Sequence, residues 1–317
     1  MGSVAARGVG RRTQASLVND PKKSELPADF SRRAQGLVWV GDLAKSSTHL
    51  NDDRAVDELE VFLPRLLWIA AGVVDAAGGR FLKWTGDGFL AWFDVALHRN
   101  LGERALSVLN AAWHLSFLVN VTRLGVNPQR KFRLRHGIAY EQDGLRMTLT
   151  PSTQGEFQDV IGRAVVLAFR MSGIETAFPG VVTQGTVVRA AREVHDLPYK
   201  FVKLKVNSAD RLKYFKGEAR GTTDLYESAD RRPRRRRSLE GATRMVSQTM
   251  RKAEGQLPVA AYKSAFSERY QMFMQSGPEW CRLVWLEEHR FLHRMFDVVQ
   301  ELGTLIRNRG TEPPSPT

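Results

Sequence analysis

The order of hydrophobic periods in this chain predicts an α+β fold, a ferredoxin-like antiparallel sheet with a C-terminal helical appendix. Three observations carry that expectation. A wholly apolar run, Leu37-Val38-Trp39-Val40, stops at Gly41-Asp42 as a buried strand does. After a helical period, two strand-like runs meet at Gly86-Asp87-Gly88, a tight-turn signal that makes their pairing antiparallel. Beyond Arg237 the pattern turns helical again.

Residues 1–35 are polar and basic with no hydrophobic period and read as a flexible arm. The sheet domain is expected over residues 36–229. Its first strand is followed by a helix from Val56 to Val74, with Leu59, Phe62, Leu63, Leu66, Leu67 and Ala70 on one face. The hairpin spans Gly79 to Phe93, and a second amphipathic helix covers Gly102 to Thr122. Arg133 to Tyr140 reads as a strand, Gly162 to Ala177 as a helix, Val181 to Val188 as a strand, and Phe201 to Tyr226 as short strands. This β-α-β-β-α-β order, with a hairpin between the helices, favours the ferredoxin-like sheet over a doubly wound parallel one. Residues 230–238 form an arginine-rich linker, and residues 239–317 a helical segment with Tyr270, Phe273, Trp280 and Trp285 among charges.

With 317 residues, 43% of them hydrophobic, the chain can bury one sizeable core. Its single cysteine, Cys281, excludes both an intramolecular disulfide and a thiolate metal site, so any metal takes oxygen or histidine ligands. No apolar run approaches the roughly 18 residues of a membrane span and no secretory leader is evident, so a cytoplasmic location and no membrane partner are expected. The net charge of +13, from 47 Lys+Arg against 34 Asp+Glu, implies an anionic partner such as a polyphosphate or a nucleic acid. The run Arg231-Arg232-Pro233-Arg234-Arg235-Arg236-Arg237 has no interleaved aromatics, which argues for a solvated linker and against nucleic-acid binding.

Two aspartates occupy special places: Asp42 at a strand end and Asp87 on the hairpin turn. Paired there, they suit Mg²⁺ or Mn²⁺, hard cations held by one or two carboxylates plus substrate phosphates. Either aspartate alone is ordinary turn chemistry.

Three ordered segments change that balance. Val38-Trp39-Val40-Gly41-Asp42-Leu43-Ala44-Lys45-Ser46-Ser47 resembles the first metal motif of class III adenylyl and guanylyl cyclases. Gly78 to Phe93 is similar to their metal-bearing hairpin, and Asp159-Val160-Ile161-Gly162-Arg163 running on to Gly173 to the segment that leads from a base-reading residue into a catalytic helix. The resemblance covers about residues 36–227 and leaves the arm and the helical C-terminus aside.

The resemblance implies closure of a ribonucleoside triphosphate to a 3′,5′-cyclic monophosphate with release of pyrophosphate, by two Mn²⁺ or Mg²⁺ ions. Asp42 and Asp87 would hold the metals, with the Leu43 carbonyl as a further ligand, and Lys45, Ser46 and Ser47 would form the phosphate-facing turn. Lys83 and Asp159 fall where adenine-specific members read the purine edge, and Arg170 on the arginine that stabilises the transferring phosphate. Lys216, in Tyr214-Phe215-Lys216-Gly217, resembles the late lysine that reaches the triphosphate. The family works as a dimer with the site in the cleft, so a homodimer is expected.

One place departs from the pattern: Val166 stands where the family's helix carries an asparagine that bonds the ribose. Together with the bulky Trp39, an aromatic side chain expected to fill the room that a smaller base leaves in the pocket, this makes the chain look like the bacterial antiphage pyrimidine cyclases of the Pycsar type, which make cyclic UMP or cyclic CMP as an infection signal. Lys83 and Asp159 point instead to an adenylyl cyclase, and loss of the asparagine also fits a catalytically silent cyclase-like scaffold.

Overall fold

A computed structural model describes residues 31–49, 51–95, 101–126, 132–149, 157–195, 197, 199–204, 215, 224–229, 267–288 and 290. The first strand, β1 (Ser31–Leu43), is buried on both faces over Leu37, Val38, Trp39 and Val40, which is why that stretch is continuously apolar instead of alternating. Leu37, Trp39 and Leu43 pack into one core cluster, Val38 and Val40 into another.

A one-turn helix, α1 (Ser46–His49), leads to α2 (Asp53–Ala76), capped by Asp52, whose side chain accepts from Arg54 N at 3.1 Å. Then come β2 (Arg80–Trp84), β3 (Gly88–Asp94), α3 (Leu101–Val121) and β4 (Leu134–Leu149). The sheet order of these strands is β2-β3-β1-β4, all antiparallel, which is the ferredoxin-like arrangement the sequence predicts. Helices α2 and α3 cover one face, where Leu59, Phe62, Leu66 and Val73 meet Val108, Leu109, Ala112 and Leu115.

The extension of β4 pairs with β5 (Phe157–Ile161), and α4 (Arg163–Ser172) lies across β4 and β1 on the opposite face. A side chain at Gly137 would collide with the Ala168 carbonyl, so glycine lets α4 approach β4 this closely. The sheet then continues through β6 (Val181–Gln184), parallel to β4, and the antiparallel pair β8 (Leu225–Ala229) and β7 (Lys200–Lys203).

Four boundaries differ from the sequence reading. Ser31–Gln35, assigned to the arm, already belongs to β1 because its partners on β4 extend to Met147. For the same reason β4 runs nine residues beyond Tyr140. The run Val181–Val188 divides: β6 ends at Gln184 and α5 (Gly185–Val194) begins, burying Val187, Val188 and Ala191 at helical spacing. Helix α4 stops at Ser172, where Gly173 N–H returns to the Arg170 carbonyl at 3.3 Å.

The C-terminal segment contributes α6 (Ser267–Ser276) and a helical stretch over 279–288, both packed on α2. Trp68 stacks on Phe273 at 4.0 Å and meets Trp280 edge-on at 5.6 Å, while the Arg65 guanidinium lies 4.9 Å from the Trp280 ring. Tyr270, Met274, Cys281 and Val284 join the core of the sheet domain, and Glu288 bonds His114 of α3 at 2.7 Å. The appendix therefore extends the same hydrophobic core. The arginine-rich linker and residues 1–30 lie outside the described residues. No described helix is long and apolar enough to cross a membrane.

Candidate active site

Backbone register brings the two carboxylates together. Asp42 lies opposite Gly88 of β3 on one side and Arg135 of β4 on the other. Asp87 is the residue before Gly88, in a turn closed by Thr85 N–H donating to the Gly88 carbonyl at 3.0 Å. Residue 86 has φ +90°, and a side chain at 88 would strike the Gly41 carbonyl, so both places call for glycine. Burial pushes the Asp42 carboxyl above the ordinary carboxylate range, the Arg135 guanidinium opposes the rise, and the charge of Asp87 adds to it.

Arg135 is the partner that sequence reading missed. Its Nη2 donates to Asp42 Oδ2, and its Nη1 donates to the Gly173 carbonyl at 3.2 Å. Its Nε is buried with no hydrogen-bond partner among the described residues. In the sequence it is one more basic residue of the alternating strand Arg133-Leu134-Arg135, and only the register places it beside Asp42.

On β2 of the same hairpin, Lys83 Nζ donates to Asp159 Oδ2 at 2.6 Å, across 76 residues of sequence. Both side chains remain partly open to solvent, at 47% and 36% exposed, so a ligand can reach either. Strand β5 is lashed beside them: Arg80 and Arg146 both donate to Gln158 Oε1, at 3.0 and 2.8 Å. Arg146 also reaches Asp94 at 3.2 Å, and Asp94 accepts from Trp92 Nε1 at 2.7 Å. Val160 meanwhile packs with Val38, Val40, Leu90 and Trp92, so the β4–β5 arm folds back over the hairpin. Nothing local in the sequence signals this network, since its members lie up to 78 residues apart.

Glu141 of β4 accepts from Ala164 N at 2.8 Å and so caps α4, whose own N-cap residue, Gly162, has no side chain to do so. Arg170 occupies the last turn of α4; its Nη1 is buried without a partner among the described residues. Val166 and Phe169 on the same helix are exposed, as are Trp84 at the end of β2 and Ile161 at the end of β5.

Of the phosphate-turn residues, Lys45 adopts a left-handed φ of 63° and forms an ion pair with Glu175 at 3.8 Å, while Ser46 and Ser47 begin α1. Leu43 buries its side chain completely, leaving only its backbone to act as a ligand. Lys216 lies outside the described residues. Trp39 corrects a sequence-based expectation. It is fully buried on the α2/α3 face, opposite to Asp42, and donates to His136 Nδ1 at 3.1 Å, so it lines no base pocket.

The donor set fits a hard divalent cation. Two carboxylates, one at the end of β1 and one on the adjacent β2–β3 turn, supply oxygen ligands, and no group of three or more His, Cys, Asp or Glu able to hold a metal occurs among the described residues. Such a pair completes its coordination with water and substrate phosphates, the usual mode of Mg²⁺.

No family model matches the sequence, and no curated protein is found similar to it. Among solved structures, the chain is similar to the adenylyl cyclase CyaB from P. aeruginosa, with 19% identity and a TM-score of 0.48 over 64% of this chain and 97% of that one. It is also similar to a bacterial light-regulated adenylyl cyclase, with 15% identity and a TM-score of 0.47 over 69% of this chain, and it spans 58% of that protein's length. The guanylyl cyclase Cya2 aligns at 17% identity with a TM-score of 0.45, over 63% of this chain and 93% of that one.

Proposed function

We propose that the protein is a nucleotide cyclase that converts a ribonucleoside triphosphate to its 3′,5′-cyclic monophosphate and pyrophosphate. The observation that carries this reading is the pairing of Asp42 with the Gly86-Asp87-Gly88 turn, on a sheet whose neighbouring strands also join Lys83 to Asp159. The turn of the hairpin thus offers a hard-cation site, and β2 beside it, with β5, a donor–acceptor pair suited to a base edge.

In the reaction, the ribose 3′ oxygen attacks the α-phosphorus, the bond from that phosphorus to the bridging oxygen of pyrophosphate breaks, and the 3′-hydroxyl proton leaves to solvent. Two Mg²⁺ or Mn²⁺ ions, when bound, activate the hydroxyl and neutralise charge on the phosphates. Asp42 and Asp87 hold them, with the Leu43 carbonyl. Lys83 and Asp159 orient the base through its hydrogen-bonding edge. Arg170 offers a buried N–H without an acceptor among the described residues, a donor ready for charge that develops on the transferring phosphate. Lys45, Ser46, Ser47 and Lys216 complete the phosphate contacts.

The exposed Trp84, Ile161, Val166 and Phe169 support a cleft closed by a second copy of the chain, with Asp42 and Asp87 from one subunit and Lys83, Asp159 and Arg170 from the other. For the base, Val166 favours a pyrimidine substrate, UTP or CTP, of the kind used for antiphage signalling, because an apolar residue stands where a ribose-bonding amide is expected. The intact Lys83–Asp159 pair favours ATP as the second reading. Incubating the purified protein with each of the four ribonucleotides and Mn²⁺, then identifying products by mass, tests both. A cyclic UMP or cyclic CMP product is expected; dominant cyclic AMP selects the second reading, and absence of any cyclic product removes the enzyme.

A further inference from the structure

We propose that Glu141 is a positioning residue: its carboxylate fastens the N-terminus of α4 to the bend of β4 and so fixes Asp159 against Arg170. The inference rests on the cyclase reading given above, in which those two residues read the base and meet the phosphate. Its own warrant is what surrounds one buried side chain. Glu141 Oε2 accepts from Ala164 N at 2.8 Å, in the first turn of α4, and Oε1 accepts from Asp143 N at 3.3 Å, within β4 itself. Two glycines leave room for it: a Cβ at 162 would collide with Oε2, and one at 144 with Cγ.

The carboxylate stands at a joint. Gly36 of β1 lies opposite Glu141 and Ala34 opposite Gly144, so two residues of β4 face Gln35 alone, a bulge of the kind that bends a strand. Beyond it β4 continues as the arm that pairs with β5, and β5 passes through Gly162 into α4. The arm therefore leaves Glu141 and returns to it, with Asp159 on the returning strand. Helix α4 has no acid in its own first turn and opens with Arg163, a positive charge at the positive end of the helix dipole; Glu141 offsets it from another strand.

Gly137, Ala139 and Glu141 alternate onto the face of β4 that α4 covers. The backbone at Gly137 abuts Ala168 and Ser172, on either side of Arg170, while Glu141 holds Ala164, so α4 is secured at two points. With the second released, the helix can pivot on the first, and the end that swings is the one joined to β5. Asp159 lies five residues before Ala164 and moves with that end. Base reading and phosphate stabilisation then fall out of alignment, and a misplacement of about 1 Å is enough to cost about a hundredfold in rate.

The test is steady-state kinetics of the full chain with Mn²⁺ and each of the four ribonucleotides, for wild type, Glu141→Gln and Glu141→Ala. Wild type should form a cyclic product; none from any nucleotide overturns the cyclase reading and this inference with it. Given an active wild type, Glu141→Ala should lose about a hundredfold in kcat and change the ranking among UTP, CTP and ATP by about tenfold. A side chain that served only stability would lower the active fraction for every nucleotide alike. A Glu141→Ala protein with the wild-type ranking therefore sinks the positioning role and leaves the cyclase reading standing. Glu141→Gln keeps one acceptor oxygen and can hold Ala164 or Asp143 but not both, so its kcat should fall between the other two. Should the alanine variant fail to fold, the glutamine variant carries the test: a loss of about tenfold in kcat with a changed ranking is expected, the scale of one hydrogen bond, and a wild-type ranking refutes the inference.

Discussion

The carboxylate half of the site and the base-reading half are held by different means. Asp42 and Asp87 are set by strand register within one β1–β3 ladder, with Gly88 directly opposite Asp42. Lys83 and Asp159 meet only because the β4–β5 arm folds back across the hairpin and is fastened by Arg80, Arg146 and Gln158. The backbone of the first half is held by pairing on both sides of Asp42 and by the turn bond that flanks Asp87. The second depends on exposed side chains and can be retuned by single substitutions, as a specificity element should be.

The largest expected effect lies in the rigid half. Asp87→Ala should lower cyclic nucleotide formation by about three orders of magnitude, the worth of several kcal/mol of lost charge stabilisation, with an unchanged circular dichroism spectrum. Asp42→Ala should be equally inactive but less stable, because it leaves Arg135 in a partly buried place without its carboxylate. Comparable turnover by wild type and Asp87→Ala would end the two-carboxylate mechanism.

If the halves serve one site from two chains, mixing Asp42→Ala with Arg170→Ala subunits should restore up to half of wild-type activity per heterodimer. Each mixed dimer then holds one site with both lesions and one with neither. Subunits shown to exchange by mass spectrometry yet giving no activity would place each site within one chain.

A smaller effect belongs to the tunable half. Asp159→Ala should change the ranking among UTP, CTP and ATP by about ten- to a hundredfold while leaving the Mn²⁺ requirement in place, because unpaired groups at a base edge penalise the wrong base. The same ranking in wild type and variant would remove Asp159 from the base pocket.

The same contrast governs what was legible in the sequence. Strand end, turn glycines and Asp87 are local signals, and the structure sets them where a hairpin with that pattern must put them. The helix over 53–76 was legible for the same reason, its period unbroken from Val56 to Val74. Arg135, Glu141 and the Arg80–Gln158–Arg146 network were not, since each acts only through a partner on another strand or helix. Trp39 was misread because a strand buried on both faces gives no alternation by which to assign a side. Helix α5 was missed because its valines mimic a strand.

The smallest effect concerns what anchors the rigid half from beneath. His136, next to Arg135 on β4 and on the opposite face, is fully buried, and burial lowers its pKa from 6.5 to about 3. Trp39 Nε1 donates to its Nδ1, so the neutral ring carries its proton on Nε2. That proton goes to Ser116 Oγ at 2.8 Å, whose own hydrogen is donated to the Pro179 carbonyl at 2.7 Å. Every position of the ring is committed to the neutral form. The unfolded chain takes up a proton at this residue below about pH 6.5 and the folded chain does not until about pH 3, so stability is complete above 6.5 and is lost as pH falls through that window. Each unit of pH within it costs about 1.4 kcal/mol, so roughly 2 kcal/mol should disappear between pH 6.5 and 5. Urea unfolding at pH 5, 6 and 7 should show wild type losing stability faster than His136→Gln, which lacks the titrating ring although it is less stable at pH 7. Parallel slopes in the two proteins would assign the acid sensitivity to another group and leave β4 without this anchor.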